Sequence, residues 1–167
     1  MKKILVLLPL CLLMFFASTM QAQVAATPAA EESGPMSKRD KAEADTKEMV
    51  QKVLDFAQKR NYASMSRVTV YAGRDPNRTM RTKINMNDPH EKLECENNLN
   101  YMRHVLVKSV IWNATNFRMV KAVNDTYYYW NVEFTNEKMK TMVYQMLFVE
   151  LSGEYLFASF EKIGKLK

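Results

Sequence analysis

The stretch from Met142 to Lys162 constrains the fold most, because apolar residues occupy both odd and even positions along two predicted strands. A strand that is apolar on both faces must be covered on both faces. The Ser152-Gly153 step between the two runs predicts a two-residue hairpin loop. The sequence therefore predicts a sheet that packs on helices, with its second face covered by further helices, by a partner chain or by a small ligand.

The predicted hairpin also sets a register between its two strands. If Leu151 lies opposite Glu154, Phe148 lies opposite Phe157 and Tyr144 lies opposite Glu161. One face is then mainly aliphatic, while the other mixes aromatic, hydroxyl and carboxyl groups, as a lined pocket or partner surface does. The mixed face and the preceding strand supply the candidate ligand-binding residues, which are Tyr144, Met146, Phe148, Tyr155, Phe157 and Trp130.

Helical patterns precede this region. Apolar residues recur at helical spacing after Asp45 or Thr46, either of which can cap a first helix. The β-branched and aromatic run Arg67–Tyr71 predicts a strand. Asp88 and Glu91 flank a proline in a capping-box pattern, which predicts a helix that ends near residue 108.

The period of the apolar residues changes to two after residue 113. The pattern predicts strands over Phe117–Val123, Tyr128–Thr135, Met139–Leu151 and Glu154–Ile163, joined by tight turns. The predicted fold class is α+β, with N-terminal helices packed on a curved, mostly antiparallel sheet of four to five strands that gives a cone-shaped domain.

The N-terminal residues predict export. Lys2 and Lys3 precede an apolar run over 4–17 and a small, polar segment over 18–23, which is the order of a cleaved signal peptide. The predicted organisation is a signal peptide over 1–22, a flexible tether over 23–39 and one α+β domain over 40–167. We expect a periplasmic or extracellular protein with no stable membrane span after cleavage, because the apolar run is shorter than the ~20 residues that a span needs.

Composition argues against several function classes. The net charge of +6 is spread along the chain and forms no clustered Lys/Arg motif, so we expect no nucleic-acid partner. His90 and His104 have no acidic residues at ligand spacing, so we expect no metal, and no motif predicts a cofactor. Cys95 fits a small buried hydrophobe; the alternatives are an intermolecular disulfide and a nucleophile.

The order of elements resembles the nuclear-transport-factor-like and ketosteroid-isomerase-like (cystatin-like) superfamily, including its exported bacterial members of unknown function. The resemblance is carried by the stretch MVQKVLDFAQKRNYASMS at residues 49–66 and by YYWNVEFTNEKMKTMVYQMLFVELSGEYLFASFEK at residues 128–162. It implies a curved sheet that wraps against helices and leaves a pocket at its wide end. Members of the family include isomerases, dehydratases and dimerisation modules.

Two functions follow as expectations. The first is an exported, non-catalytic binding or interaction module that holds a small apolar ligand or a protein partner, or that forms a homodimer through the open sheet. The alternative is an isomerase- or hydrolase-type enzyme. Its catalytic candidates are Glu161 with Tyr144, or Glu133, with Tyr155 and Tyr129 as neighbouring donors. A carboxylate within hydrogen-bond reach of a donor inside the pocket would favour the enzyme.

Overall fold

The computed structural model describes residues 36–72, 82–123 and 125–165. Three helices precede four strands in this part of the chain, which confirms the α+β class. The helices are α1 (Lys38–Lys59), α2 (Tyr62–Val68) and α3 (Pro89–Val107), and the strands are β1 (Ile111–Lys121), β2 (Thr126–Thr135), β3 (Thr141–Leu151) and β4 (Glu154–Lys165). The strands form one antiparallel sheet in the order β1-β2-β3-β4. The predicted signal peptide over 1–22, most of the predicted tether and the predicted loop over 73–77 lie outside the described residues.

Helix α1 begins earlier than the sequence predicted. Its N-cap is Ser37, whose hydroxyl accepts a hydrogen bond from the Asp40 amide at 3.1 Å, so the helix includes the last two residues of the predicted tether. The predicted cap at Asp45 or Thr46 is wrong. Thr46 is fully buried inside the helix, and its hydroxyl donates to the Ala42 carbonyl oxygen at 2.6 Å. A threonine with such an intrahelical partner can occupy a helix interior.

The predicted strand over Arg67–Tyr71 is also wrong for most of its length. Helix α2 continues to Val68 because Met65 on its inner side is fully buried. Only Thr69 and Val70 pair as strand residues, each through one isolated bridge. Burial against neighbouring elements has overridden the local preference for strand, as tertiary contacts commonly do.

Helix α3 begins as predicted, with one difference. The Asp88 carboxylate accepts from the amides of His90 and Glu91 at 2.8 and 3.1 Å, which confirms the N-cap. Glu91, predicted to close a capping box on the Asp88 amide, instead accepts from the Asn85 amide at 2.7 Å and is buried. The Asp88 amide donates to the Asn85 carbonyl oxygen at 3.1 Å.

Strand β1 begins at Ile111, before the predicted start at Phe117. A bulge explains the difference, since the pairing with β2 shifts between Thr115 and Phe117, and the extra residue Asn116 has a φ of 48°. A bulge moves later side chains to the opposite parity. The alternation of the two faces along the strand is therefore interrupted at Asn116, and the sequence pattern predicted only the part of the strand that follows.

The β3–β4 hairpin follows the predicted register only near its turn. Ser152 and Gly153 both have positive φ, at 52° and 83°, as a type I′ turn requires, and the predicted pairs from Leu151–Glu154 to Phe148–Phe157 are present. The register then shifts by one residue at Ala158.

The shift overturns the predicted pairing of Tyr144 with Glu161. Tyr144 lies opposite Lys162, Met146 lies opposite Phe160, and Glu161 lies opposite Gln145. The bulge thereby brings Phe160 to the face of the sheet that packs on the helices and leaves Glu161 exposed on the other face. We call these the inner face and the outer face.

The main core lies between the inner face and helices α1 and α3. Its largest fully buried side chains from the sheet are Tyr128, Phe134, Met146, Phe148 and Phe157. Trp130 joins the sheet to α1, because its indole N–H donates to the Thr46 hydroxyl at 2.9 Å. This hydrogen bond fixes where α1 crosses the sheet, since a buried indole N–H without a partner would be costly.

Candidate functional site

A cavity of about 780 Å³ opens at the end of the sheet that carries the β2–β3 turn, next to the C-terminal half of α3. This volume lies within the range of about 300–1,000 Å³ that is typical of small-molecule sites. The antiparallel order explains the position of the cavity, because the end of β2, the start of β3 and the end of β4 lie at the same end of the sheet. Helix α3 closes one side of the cavity with its last turns.

The inner end of the cavity is aromatic and aliphatic. Val105, Phe134 and Tyr144 line it as buried side chains and Met142 as a half-buried one, whereas the lining residues Tyr101 and Met139 are exposed. Phe160 supports them from behind and stacks on the ring of Tyr144 with a centroid distance of 4.7 Å and an interplanar angle of 1°. Phe134 meets Tyr144 edge to face at 5.4 Å, and Tyr101 meets Phe160 in the same way at 5.8 Å. Such pairs hold aromatic rings in fixed orientations.

Tyr144, the buried tyrosine of this cluster, holds its proton more tightly than an ordinary tyrosine does. Burial, and secondly the neighbouring Tyr101, raise the pKa of Tyr144 to about 12. The side chain is 6% exposed. Its hydroxyl therefore stays uncharged to a higher pH than that of an ordinary tyrosine.

The mouth of the cavity is basic. Its ionisable lining residues are His104, Lys108, Lys140, Lys162 and Lys165, and no Asp or Glu is among the described residues that line it. All five side chains are exposed, whereas Phe134 and Tyr144 are buried. The four lysines thus lie nearer to solvent than Phe134 and Tyr144 do.

The four lysines come from separate elements. Lys108 is the C-cap of α3, Lys140 closes the β2–β3 turn, and Lys162 and Lys165 lie near the end of β4. Among the residues that the structure describes, none of the four forms an ion pair within 4 Å. Their charges therefore face one cavity that no carboxylate of the described residues lines.

The structure separates the predicted ligand-binding residues. Tyr144 lines the cavity. Tyr155 lines a different groove at the opposite end of the sheet. The others lie in the core between the sheet and the helices, namely Trp130, Met146, Phe148 and Phe157. The structure thus brings only one of the six to the cavity.

The predicted catalytic candidates are not brought together. Glu161 and Glu133 belong to the outer face, while Tyr144 belongs to the inner face. The Glu133 carboxylate accepts from the Thr115 hydroxyl at 3.0 Å. Tyr129 lies on the same outer side, where the guanidinium of Arg118 sits 5.5 Å from its ring centre.

A tyrosine–carboxylate pair does exist at the opposite end of the sheet. The buried Tyr128 hydroxyl donates to Glu150 at 2.8 Å, and its ring meets Tyr155 edge to face at 5.0 Å. Burial, followed by the hydrogen bond to Glu150, raises the pKa of Tyr128. Tyr128 itself lines neither of the two described hollows at that end, whereas its partner Glu150 lines the hollow that also includes Ser152 and Gly153.

The groove at that opposite end has balanced charges. It is lined by three acidic and three basic side chains, namely Asp45, Glu48, Glu154, Lys52, Arg67 and Lys83. The Lys83 ammonium lies 2.6 Å from the Glu154 carboxylate, and this contact lowers the pKa of Glu154. The described residues of the groove therefore contribute no net excess of either charge.

The lysines and Tyr101 were missed as site residues by the sequence reasoning. Lys108, Lys140 and Lys162 are far apart along the chain, and only the meander of β2, β3 and β4 brings them together. The nearest sign in the sequence was that lysines occur in the turns and near the strand ends. Surface segments of many proteins have the same feature.

The remaining cysteine and histidines form no further site within the described residues. Cys95 is buried, as predicted, and burial followed by the nearby Glu96 and Glu94 raises its pKa to about 11. A thiol with so high a pKa is a poor nucleophile at neutral pH. Across 36–72, 82–123 and 125–165, no three His, Cys, Asp or Glu side chains cluster as metal ligands do. None of the described helices has the length and apolar character needed to span a bilayer.

Comparisons of the chain with protein-family models, with curated proteins and with solved structures give no match.

Proposed function

We propose that this protein is an exported binding module whose cavity holds a small molecule with an apolar body. One observation carries the proposal: a cavity of about 780 Å³ has an aromatic inner end, and no carboxylate is among its described lining residues. Its export rests on the signal peptide predicted for residues 1–22. The resemblance to the nuclear-transport-factor-like superfamily implies a pocket at the same kind of place, between helices and a curved sheet.

The binding module is favoured over the enzyme by the position of the acidic residues. A base that acts on a bound substrate must lie within hydrogen-bond reach of it. Glu161 and Glu133 lie on the outer face, away from Tyr144. Glu150 accepts from Tyr128 at the far end of the sheet. A catalytic reading would therefore need a base other than the predicted carboxylates.

Binding in the cavity is tested with N-phenyl-1-naphthylamine, a neutral aromatic probe that fluoresces in apolar surroundings. We expect saturable binding to the wild-type protein and much weaker binding in Met142→Trp, because the half-buried Met142 lines the cavity and a larger ring would occupy part of the space beside the aromatic residues. Val120→Trp is the matched control, since Val120 is 45% exposed and pairs with Tyr127 on the outer face.

The two variants must keep the far-ultraviolet circular dichroism of the wild type. No saturable binding to the wild type, or equal binding to Met142→Trp and to the control, would contradict the proposal. Mass spectrometry of molecules that co-purify with the native protein then identifies the natural ligand.

A further inference from the structure

We propose that the cavity selects small amphipathic anions, in which a carboxylate, sulfonate or phosphate group is attached to an apolar body. This inference rests on the proposed function, because it specifies which kind of molecule the same cavity holds. It changes the sequence-based expectation of a purely apolar ligand.

The first support is the uncompensated charge at the mouth. Four lysines from α3, the β2–β3 turn and β4 line one cavity, and no Asp or Glu is among its described lining residues. Like charges that face a common space repel one another, and an anion placed between them interacts favourably with each. Each exposed ion pair typically shifts an equilibrium by about fivefold or less, so several must act together to give useful selectivity.

The second support is the order of chemical groups along the cavity. The lysine side chains are exposed, whereas Phe134 and Tyr144 are 2% and 6% exposed. A bound molecule therefore meets cations at the mouth and aromatic rings at the inner end. A charged head joined to an apolar tail matches both ends at once, and neither a simple anion nor a plain hydrocarbon does.

The third support is the contrast with the groove at the other end of the sheet. That groove also carries three basic side chains, but three acidic ones line it as well, and Lys83 contacts Glu154. Among the described lining residues, basic side chains are thus matched by acidic ones at one end of the sheet and not at the other. The overall net charge of +6 does not by itself produce this difference.

One feature of the cavity opposes anion binding. The C-terminal end of α3 reaches the mouth at Lys108, and a helix C-terminus carries a partial negative charge. Lys108 offsets that charge, so replacing it would change helix stability as well as ligand binding. The test therefore leaves Lys108 in place and changes Lys140, Lys162 and Lys165.

The test compares two probes that share one aromatic body. 8-Anilino-1-naphthalenesulfonate carries a sulfonate, and N-phenyl-1-naphthylamine lacks it; both are used as dilute monomers, so that no micelle or bilayer surface is present. In Lys140→Gln/Lys162→Gln/Lys165→Gln we expect the dissociation constant of the sulfonate to rise by about tenfold or more at low salt. The neutral probe should bind as it does to the wild type.

The matched control is Lys41→Gln/Lys92→Gln/Lys121→Gln, which removes the same net charge from exposed positions that do not line the cavity. We expect this control to bind both probes almost as the wild type does. Added salt should weaken sulfonate binding to the wild type and leave the neutral probe unaffected. If the triple variant were poorly folded, Lys162→Gln and the salt titration of the wild type would test the same point.

The outcomes separate the two proposals. If the wild type binds the neutral probe and Met142→Trp weakens that binding, but the cavity lysines do not affect the sulfonate more than the control lysines do, the charge inference is wrong and the binding module stands. If the cavity-lysine variant loses both probes equally, the lysines do not recognise charge and the inference is again overturned. If the neutral probe does not bind the wild type at all, both proposals fail.

Discussion

The two ends of the sheet carry similar numbers of basic side chains but differ in the number of acidic side chains described beside them. At the β3–β4 turn the cations share a groove with three acidic residues, and Lys83 lies against Glu154. At the β2–β3 turn four lysines and His104 surround a cavity without a described acidic lining residue. Because unbalanced charge is a cost to a folded protein unless something else matches it, the difference supports the proposal that the end with the lysines binds an anionic ligand.

The ends also differ in what their tyrosines do. Tyr128 directs its hydroxyl to Glu150 and lies fully inside the core. Tyr144 lines the cavity while its ring stacks on Phe160. Both hydroxyls have raised pKa values because of burial, yet only Tyr144 is in a position to meet a ligand.

The largest expected effect comes from removing a ring at each end. Phe160→Ala and Phe157→Ala each delete a buried aromatic side chain, with 6% and 0% exposure, and we expect each to lower the free energy of unfolding by about 3–5 kcal/mol. Only Phe160→Ala should also weaken binding of N-phenyl-1-naphthylamine, because Phe160 supports Tyr144. Urea denaturation and probe titration measure the two quantities. Equal binding by both variants would break the proposed division between the ends.

An intermediate effect on the free energy of unfolding is expected in alkaline solution. Tyr144 has a pKa of about 12 in the folded protein, against the ordinary value of 10.0, so the folded state keeps a proton that the unfolded chain releases. This contribution to stability is complete below pH 10 and is lost as pH rises from 10 to 12, by an amount on the order of 1–3 kcal/mol.

The matched variants for this titration are Tyr144→Phe and Tyr127→Phe. Tyr144→Phe removes the ionisable hydroxyl, so its free energy of unfolding should fall less steeply over that pH range than that of the wild type. Tyr127→Phe, on the outer face, should follow the wild type. Urea denaturation at several pH values gives the slopes, and identical slopes for the wild type and Tyr144→Phe would show that Tyr144 is not held in its neutral form.

The smallest effect is expected at the ion pair of the hairpin end. Lys83 and Glu154 are 46% and 63% exposed, and exposed pairs contribute little because water screens them. Glu154→Gln should therefore leave the urea midpoint almost unchanged and should leave binding of both probes intact. A clear loss of sulfonate binding in this variant would show that the two ends are not independent.

Local patterns were sufficient for the kinds and order of most elements. The period-two run before Thr135 predicted β2, the Ser152-Gly153 step predicted the hairpin, and Asp88 predicted the start of α3. These features depend on residues that are neighbours in sequence, since a cap or a two-residue turn is built from a few consecutive backbone groups. They could therefore be read without knowledge of the tertiary structure.

The candidate site was predicted less well than the fold. The predicted aromatic-lined pocket beside the sheet included Tyr144. Its predicted cross-strand partner, Glu161, was wrong because the register of β4 shifts at Ala158. A bulge depends on how two strands fit each other and the helices beneath them. The sequence near Ala158 contains no glycine or proline that would have marked it.

The sequence by itself determined that helices precede a four-stranded meander, because apolar periodicity and turn chemistry act over a few residues. Only the tertiary structure decided that Phe160 faces the helices, that Glu161 faces away, and that lysines from α3, the β2–β3 turn and β4 surround one cavity. The physical reason is that the register of an antiparallel pair assigns every side chain to a face, and an extra residue reverses that assignment until the next register shift, which in β4 falls at Ile163. The charge of the cavity is thus a property of the assembled strands and of no single segment.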